Sequence, residues 1–467
     1  MVFVEFILFK RASASLCGTE GRQIIVDKEQ KKNTSFIQLV LGPVFLLNAI
    51  IFFFQAMTKN LYPPLLIPLR EAFLIDNAQA GLLVTLAFFG YALARYPSGV
   101  IADQIGCAKT VLIGSAAMVL SFIGVAFTPS YPILALMTFI LGVSSGIYVT
   151  AGYTLAVIIG SRKRATTATA AFETFGLVSS IISPLVVTFF VIYLNWQLLF
   201  ALCGVMLALA TLMFYKKRKL ADQFEYDYAM QNGYNDQTSE KGSYVLLSRI
   251  LASTAVFKDP KIRRFLIWST LVGGFGALSL TGISSFIPTF LVEERSYSFD
   301  LANRLYMVVA VAGITTKIAI GWLADRFGSI RVMFINLLLL MFFYFSLTLA
   351  HEHWLVILIL ALIGAASLNA NTLINAYVLR SMPPKYQGTG FGLFSTAYTV
   401  IYSFGPYITG LLSGLVGLER AMQLSLFGIV IAISLILAAR PHSGTEYLDA
   451  RETEDNPTNW AKTSSDV

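Results

Sequence analysis

Apolar residues arrive in long runs separated by short polar breaks, and about twelve runs of roughly 20 residues can be marked from Leu39 onward. The first six cover approximately Leu39 to Met57, Ala80 to Val100, Thr110 to Phe127, Ile133 to Ile159, Thr167 to Tyr193 and Trp196 to Tyr215. Six more cover Phe265 to Leu291, Leu305 to Ala324, Val332 to Ala350, Trp354 to Leu379, Gly388 to Leu415 and Ala421 to Ala439. A hydrocarbon core about 30 Å thick is crossed by about 20 residues of helix, so each run is long enough to span a bilayer. The polar stretch that opens with Lys216, Lys217, Arg218 and Lys219 is too hydrophilic to do so and predicts a central loop over 216–262. Polar tails are predicted at 1–38 and 441–467, flanking helical bundles at 39–215 and 263–440.

Composition sharpens this picture. Of 467 residues, 56% are apolar and 13% charged, about half the charged share of an ordinary soluble domain. The mean hydropathy is +0.69. A chain this apolar exceeds what one water-soluble core absorbs, so the expected fold class is all-α and integral to a membrane. The net charge of +8 does not read as a nucleic-acid surface, because the bases sit in short clusters between apolar runs. Cys17, Cys107 and Cys203 have neither metal-ligand nor disulfide spacing, so no metal site is expected. The apolar start, Met1 to Phe9, is interrupted by Glu5 and followed by Lys10 and Arg11, the wrong order for a signal peptide.

Loop charge sets the expected orientation. Arg162, Lys163 and Arg164, the cluster at Lys216, and Lys258, Lys261, Arg263 and Arg264 all fall on one side, which predicts that side, and both termini, to be cytoplasmic. Lys59, Arg70, Arg295 and Arg420 are placed in loops on the opposite side.

A signature recurs. The loop after run two carries Gly99, Asp103, Gly106 and Lys109; the loop after run eight carries Gly321, Asp325, Gly328 and Arg331 at the same offsets, 222 residues on (325 − 103). A duplicated six-helix unit explains the register, and glycine and aspartate suit a tight hairpin between helices. The paired signature, the helix count and the long central loop resemble the major facilitator superfamily over roughly Leu39 to Arg440. The second copy, Ala324-Asp325-Arg326-Phe327-Gly328, is the fuller match, and in the first copy Gln104 stands where a base is usual. The resemblance implies two pseudo-symmetric six-helix bundles that rock by alternating access, with Asp103, Asp325, Arg326 and their glycines acting as conformational latches.

Ionisable groups inside lipid are costly, about 2.5–3.5 kcal/mol on insertion scales, so those that persist are functional candidates. Three fall well inside the predicted spans: Arg95, Glu173 and Lys317. Arg95 and Lys317 each lie eight residues before their signature aspartate, about 12 Å from the loop and near mid-bilayer. Two such cations converging would make an anion site; the alternative is that each pairs with Glu173 or carbonyls to hold helices together. Glu173 is read as a proton carrier or as a fixed counter-charge. Placed as in the family, the cavity walls offer Asn48, Gln55, Tyr148, Tyr153, Thr270, Asn369, Asn371, Asn375 and Tyr377 as hydrogen-bonding groups, with helix–helix bonding as the competing role of each.

The Arg95-Tyr96-Pro97 step followed by Gly99 resembles nitrate porters and organic-anion members of the superfamily. The stretch Phe172-Glu173-Thr174-Phe175-Gly176 lacks the Gly- and Asn-rich signature of nitrate porters, which points away from nitrate itself. The expectation is a secondary transporter of a small anion, coupled to protons or not, monomeric, in the plasma membrane, with solute and lipid as partners and neither cofactor nor nucleic acid. Efflux of amphipathic compounds and a transporter-like receptor remain as alternatives. His351, His353 and His442 lie outside the runs, so no enzyme site is expected.

Overall fold

The computed structural model describes residues 42–160, 165–231, 259–382 and 387–438. The expected tails, the Arg162–Arg164 cluster, Cys17 and most of the central loop lie outside the described residues. Fifteen helices make up the described residues. In the first half these are α1 (Pro43–Asn60), α2 (Tyr62–Phe73), α3 (Asn77–Ile105), α4 (Cys107–Ala126), α5 (Tyr131–Gly160), α6 (Ala165–Tyr193) and α7 (Trp196–Gln231). The second half has α8 (Pro260–Glu293), α9 (Phe299–Phe327), α10 (Ser329–Leu349), α11 (His353–Ser381), α12 (Gln387–Ser403), α13 (Gly405–Val416), α14 (Leu418–Ser425) and α15 (Phe427–Ala438).

Among the described residues ten helices are long and apolar enough to cross a membrane, and counting each of two bent pairs as one span gives twelve, six per half. The pair α1 and α2, counted as one span, is bent by 51°, and α9 bends by 47° between Lys317 and Ala319. Chain direction alternates, so both Gly-Asp hairpins fall at one end of the molecule, here the hairpin end.

Two sequence expectations change. Run one does not stop at Met57: after the bend at Leu61 the helix restarts on Tyr62 and Pro63 and continues to Phe73. Proline is tolerated in a first helical turn, where its missing N–H has no intrahelical partner to lose, so Pro63-Pro64 starts α2 instead of ending the span. Lys59 therefore sits inside a span and not in the loop assigned to it. The polar stretch after Tyr215, expected as loop, continues α7 helically to Gln231.

The repeat is written into the backbone as well as the sequence. Gly106 and Gly328, 222 apart (328 − 106), turn their hairpins at φ 91° and 89°. Leu74 and Ser296 share left-handed φ values of 52° and 55°. Two residues further on, Asp76 caps α3 by accepting from the Gln79 amide at 2.7 Å, and Ser298 caps α9 by accepting from the Leu301 amide at 3.3 Å. Helix contacts repeat too. A Cβ on Gly142 would run into the Ala87 carbonyl, and one on Gly364 into the Val309 carbonyl, so α3 meets α5 as α9 meets α11. Small residues let backbones approach closely, which matters in lipid, where no hydrophobic drive holds helices together.

Outward faces are apolar: Leu120, Phe127, Phe342 and Leu415 stand well exposed, as a lipid solvent requires. Some buried hydroxyls are satisfied within their own helices, Ser121 donating to the Ala117 carbonyl at 2.8 Å and Ser183 to the Ser179 carbonyl at 2.7 Å.

At the end away from the hairpins the two halves close on each other. A Cβ on Gly81 of α3 would strike the Pro406 carbonyl of α13, and one on Gly410 the Asn77 carbonyl. The Tyr407 amide donates to Thr85 Oγ1 at 3.2 Å, and Arg70 of α2 pairs with Glu293 of α8.

Candidate functional site

Four charged side chains meet along the seam between the bundles, each placed by a helix irregularity or a mid-span position. Lys59 stands at the last turn of α1, just before the 51° bend. Its Nζ lies over the Tyr91 ring, 3.9 Å from the centroid, and 5.8 Å from that of Phe88. Arg95, one turn along α3 from Tyr91, holds its Cζ 5.8 Å from the same ring. Within electrostatic reach of its guanidinium are Tyr91, Tyr398, Tyr402 and Tyr153, and also Lys59. Among the described residues neither Lys59 nor Arg95 has an ion-pair partner.

Lys317 does. At the bend of α9 its Nζ lies 3.0 Å from Glu173 Oε2 on α6, an ion pair joining the two bundles. Tyr153 donates to Glu173 Oε1 at 3.4 Å and packs edge-on against Phe52 and Phe172, at 5.3 and 5.2 Å. Of the two roles expected for Lys317, anion binding beside Arg95 or pairing with Glu173, the geometry is that of the pairing. Lys317 is engaged by Glu173, and on the seam the second cation without an ion-pair partner among the described residues is Lys59.

The second bundle faces these cations with α12. Phe394 and Tyr398 stack at 5.1 Å, Tyr398 and Tyr402 lie 5.3 Å apart, and Tyr402 meets Phe88 of the first bundle edge-on at 5.6 Å. Asn375 of α11 adds a buried Oδ1 without a hydrogen-bond partner among the described residues.

Several expected wall residues are elsewhere. Tyr148 is fully buried inside the first bundle, its hydroxyl donating to the Asn48 carbonyl and Oδ1 at 2.7 and 2.9 Å. Asn48 in turn donates to the Gly152 carbonyl at 2.9 Å, and Gln55 to Ser145 Oγ at 2.8 Å. Asn369 donates to the Ala365 carbonyl at 2.6 Å and is closed in. The bonds of Asn48, Gln55 and Tyr148 join helices, as does the one that Asn369 donates to Thr316 Oγ1 of α9 at 3.4 Å. Asn371 is exposed. Tyr377 packs against Phe265 and Trp268 at 5.7 and 6.1 Å, within the second bundle. Thr270 is half-buried on α8.

Of the hairpin residues, Asp103 and Lys109 are exposed and Gly99 lies against Thr150 of its own bundle. Glu225, on the helical extension of α7, accepts from the backbone amides of Cys107 and Ala108 at 3.1 and 2.6 Å and so caps α4. In the second hairpin Asp325 pairs with Arg380 of α11 at 2.6 Å. Arg326 lies over Trp322 at 5.4 Å, Arg331 is exposed, and nothing lies within 4 Å of a Cβ built on Gly321 or Gly328.

Reasoning from sequence missed Lys59, Tyr91, Tyr398, Tyr402 and Glu225. One signal was present for Lys59: the stretch beyond it, Leu61 to Leu69, is apolar apart from its prolines and lengthens the run.

Twelve spans in two repeats, a charged seam between them and paired Gly-Asp hairpins agree with the family model that matches residues 49–406, and again 271–465, described as Major Facilitator Superfamily. The chain belongs to that superfamily. It is a membrane transporter and not an enzyme. Relatives within the superfamily include the uncharacterized transporter YybO of Bacillus subtilis (strain 168), 21% identical over 309 residues; the match covers 62% of this chain and 65% of that one, just under two thirds of its length. The gentisate transporter of Corynebacterium glutamicum is 24% identical over 352 residues, covering 72% and 73%. The benzoate transport protein of Acinetobacter baylyi is 21% identical over 410 residues, covering 80% and 83%. Among solved structures, a bacterial homologue of the human lysosomal transporter Spinster, inward-facing and unoccupied, superposes with a TM-score of 0.67 at 15% identity, covering 85% of this chain and 96% of that one.

Proposed function

We propose that the chain carries a small organic anion across the plasma membrane by alternating access, with the hairpin end cytoplasmic. The observation that carries this reading is the pair Lys59 and Arg95: two cations in mid-span, on the seam between the bundles, without a carboxylate partner among the described residues. An unpaired charge in a low-dielectric seam is costly, and an anionic solute supplies what the protein omits. Arginine presents a planar fork that grips a carboxylate through two parallel hydrogen bonds, and the tyrosines of α3 and α12 offer hydroxyls and ring faces to the rest of the solute. Relatives that carry gentisate and benzoate, both aromatic carboxylates, support the same chemistry.

The bundles would exchange access around this site. Their contacts at the end away from the hairpins, Arg70 with Glu293 and α3 with α13, would form the outer gate. Glu173 serves best as counter-charge to Lys317, since a coupling proton would first have to displace the ammonium from its carboxylate.

Uptake of labelled benzoate and gentisate into proteoliposomes tests the reading. Arg95→Ala is expected to lower uptake at least about tenfold, the worth of one charge-assisted contact, while eluting as wild type in size exclusion. Full uptake by a well-folded Arg95→Ala would refute it.

A further inference from the structure

Among the described residues the charges on the seam do not balance, and their sum has a sign and a size. Glu173 and Lys317 neutralise each other at 3.0 Å. Lys59 and Arg95 are left, both addressing the Tyr91 ring, at 3.9 and 5.8 Å. Sharing one ring places the two cations within about 10 Å of each other, where like charges in low dielectric repel. Among the described residues the groups opposite them on α11 and α12, Asn375, Tyr398 and Tyr402, bring hydroxyls and an amide but no carboxylate.

We infer that the solute is a dianion whose two negative charges are met separately by Arg95 and Lys59, with a planar carbon skeleton against Tyr91 and the tyrosines of α12. This rests on the anion reading above and narrows it. A singly charged acid would satisfy the guanidinium and leave the Lys59 ammonium unpaired in the seam, whereas a dianion leaves neither. A limit of about 10 Å between the cations admits two carboxylates at opposite edges of one ring, and equally the doubly charged group of a phosphomonoester, whose separate oxygens each cation would meet. Lys59 is then a specificity residue: it selects charge number, while Arg95 holds the group common to mono- and dianions.

Equilibrium dialysis of the purified full chain at neutral pH, with labelled benzoate, terephthalate and phenyl phosphate, tests this. At least one dianion is expected to bind about tenfold or more tightly than benzoate, and the stronger of the two identifies a dicarboxylate or a phosphate. Lys59→Gln is expected to bring the dianion-to-benzoate ratio down to near one, chiefly by weakening the dianion. Benzoate binding as tightly as both dianions to the wild type would overturn the inference and leave the anion reading standing, as would a ratio unchanged by Lys59→Gln. Binding of none of the three would remove the anion reading together with this one. Should Lys59→Gln not fold, the wild-type ratio decides alone.

Discussion

Glu173 and Lys317 show how a pair can be structural without being fully buried. Their side chains keep 36% and 32% of their surface, so solvent screens part of the charge. Removing one partner of a fully buried pair costs about 3–5 kcal/mol, and for this half-open pair we expect about 1–3 kcal/mol. Glu173→Gln and Lys317→Met should each lower the melting temperature of the purified protein, and the double variant should recover most of that loss, because no charge is then left without its partner. Double-variant stability below that of both single variants would contradict the pairing. Residue-level geometry also explains why Tyr153 belongs to the seam and Tyr148 does not. Five residues along α5 amount to about 140° between side-chain directions, so one ring turns towards Glu173 and the other into the bundle. Both lie in one apolar run, and periodicity in lipid does not say which face is inside.

Helix contacts carry the second scale. Gly81 and Gly410 allow α3 and α13 to touch at the proposed outer gate, where a methyl group would meet a carbonyl oxygen. Gly81→Ala is therefore expected to force the gate apart and favour the outward-open form, seen as increased labelling of a cysteine placed near Thr85 by an impermeant thiol reagent. At the hairpin end, Glu225→Ala should cost about 1 kcal/mol by uncapping α4, and hydrogen exchange at Cys107 and Ala108 should rise. Element existence was readable from sequence because a bilayer imposes length and apolarity on every span. What escaped were continuations across apparent stops. Lys59, Asn60, Tyr62 and two prolines look like a turn, yet the bend at Leu61 only redirects the span, and the cation beside it stays within. Glu225 lay hidden because the polar segment after Tyr215 has a loop's composition and a helix's conformation.

Over the whole molecule, the duplication first visible at Asp103 and Asp325 extends to caps, left-handed residues and glycine contacts, so the fold was nearly all legible from one repeated loop. The site was legible only in part. Arg95, Glu173 and Lys317 stood out by depth, but their partners depend on how two bundles face each other, which no local pattern encodes. Moving Lys59 into a span also strengthens the orientation argument. It takes a base away from the end that otherwise holds Arg70, Arg295, Arg304 and Arg420. An impermeant label should accordingly reach a cysteine at Ser298 from outside intact cells and leave one at Gly328 unmodified.

The unpaired couple on the seam has an electrical consequence. A carrier that returns empty would drag its own positive charge through the field, and each elementary charge crossing 100 mV is worth about 2.3 kcal/mol. Filled with a matching anion, the same seam is neutral and indifferent to voltage. Polarisation would then govern the unladen half of the cycle alone, and a cell interior held negative would draw the vacant site inward, ready to load from the cytosol.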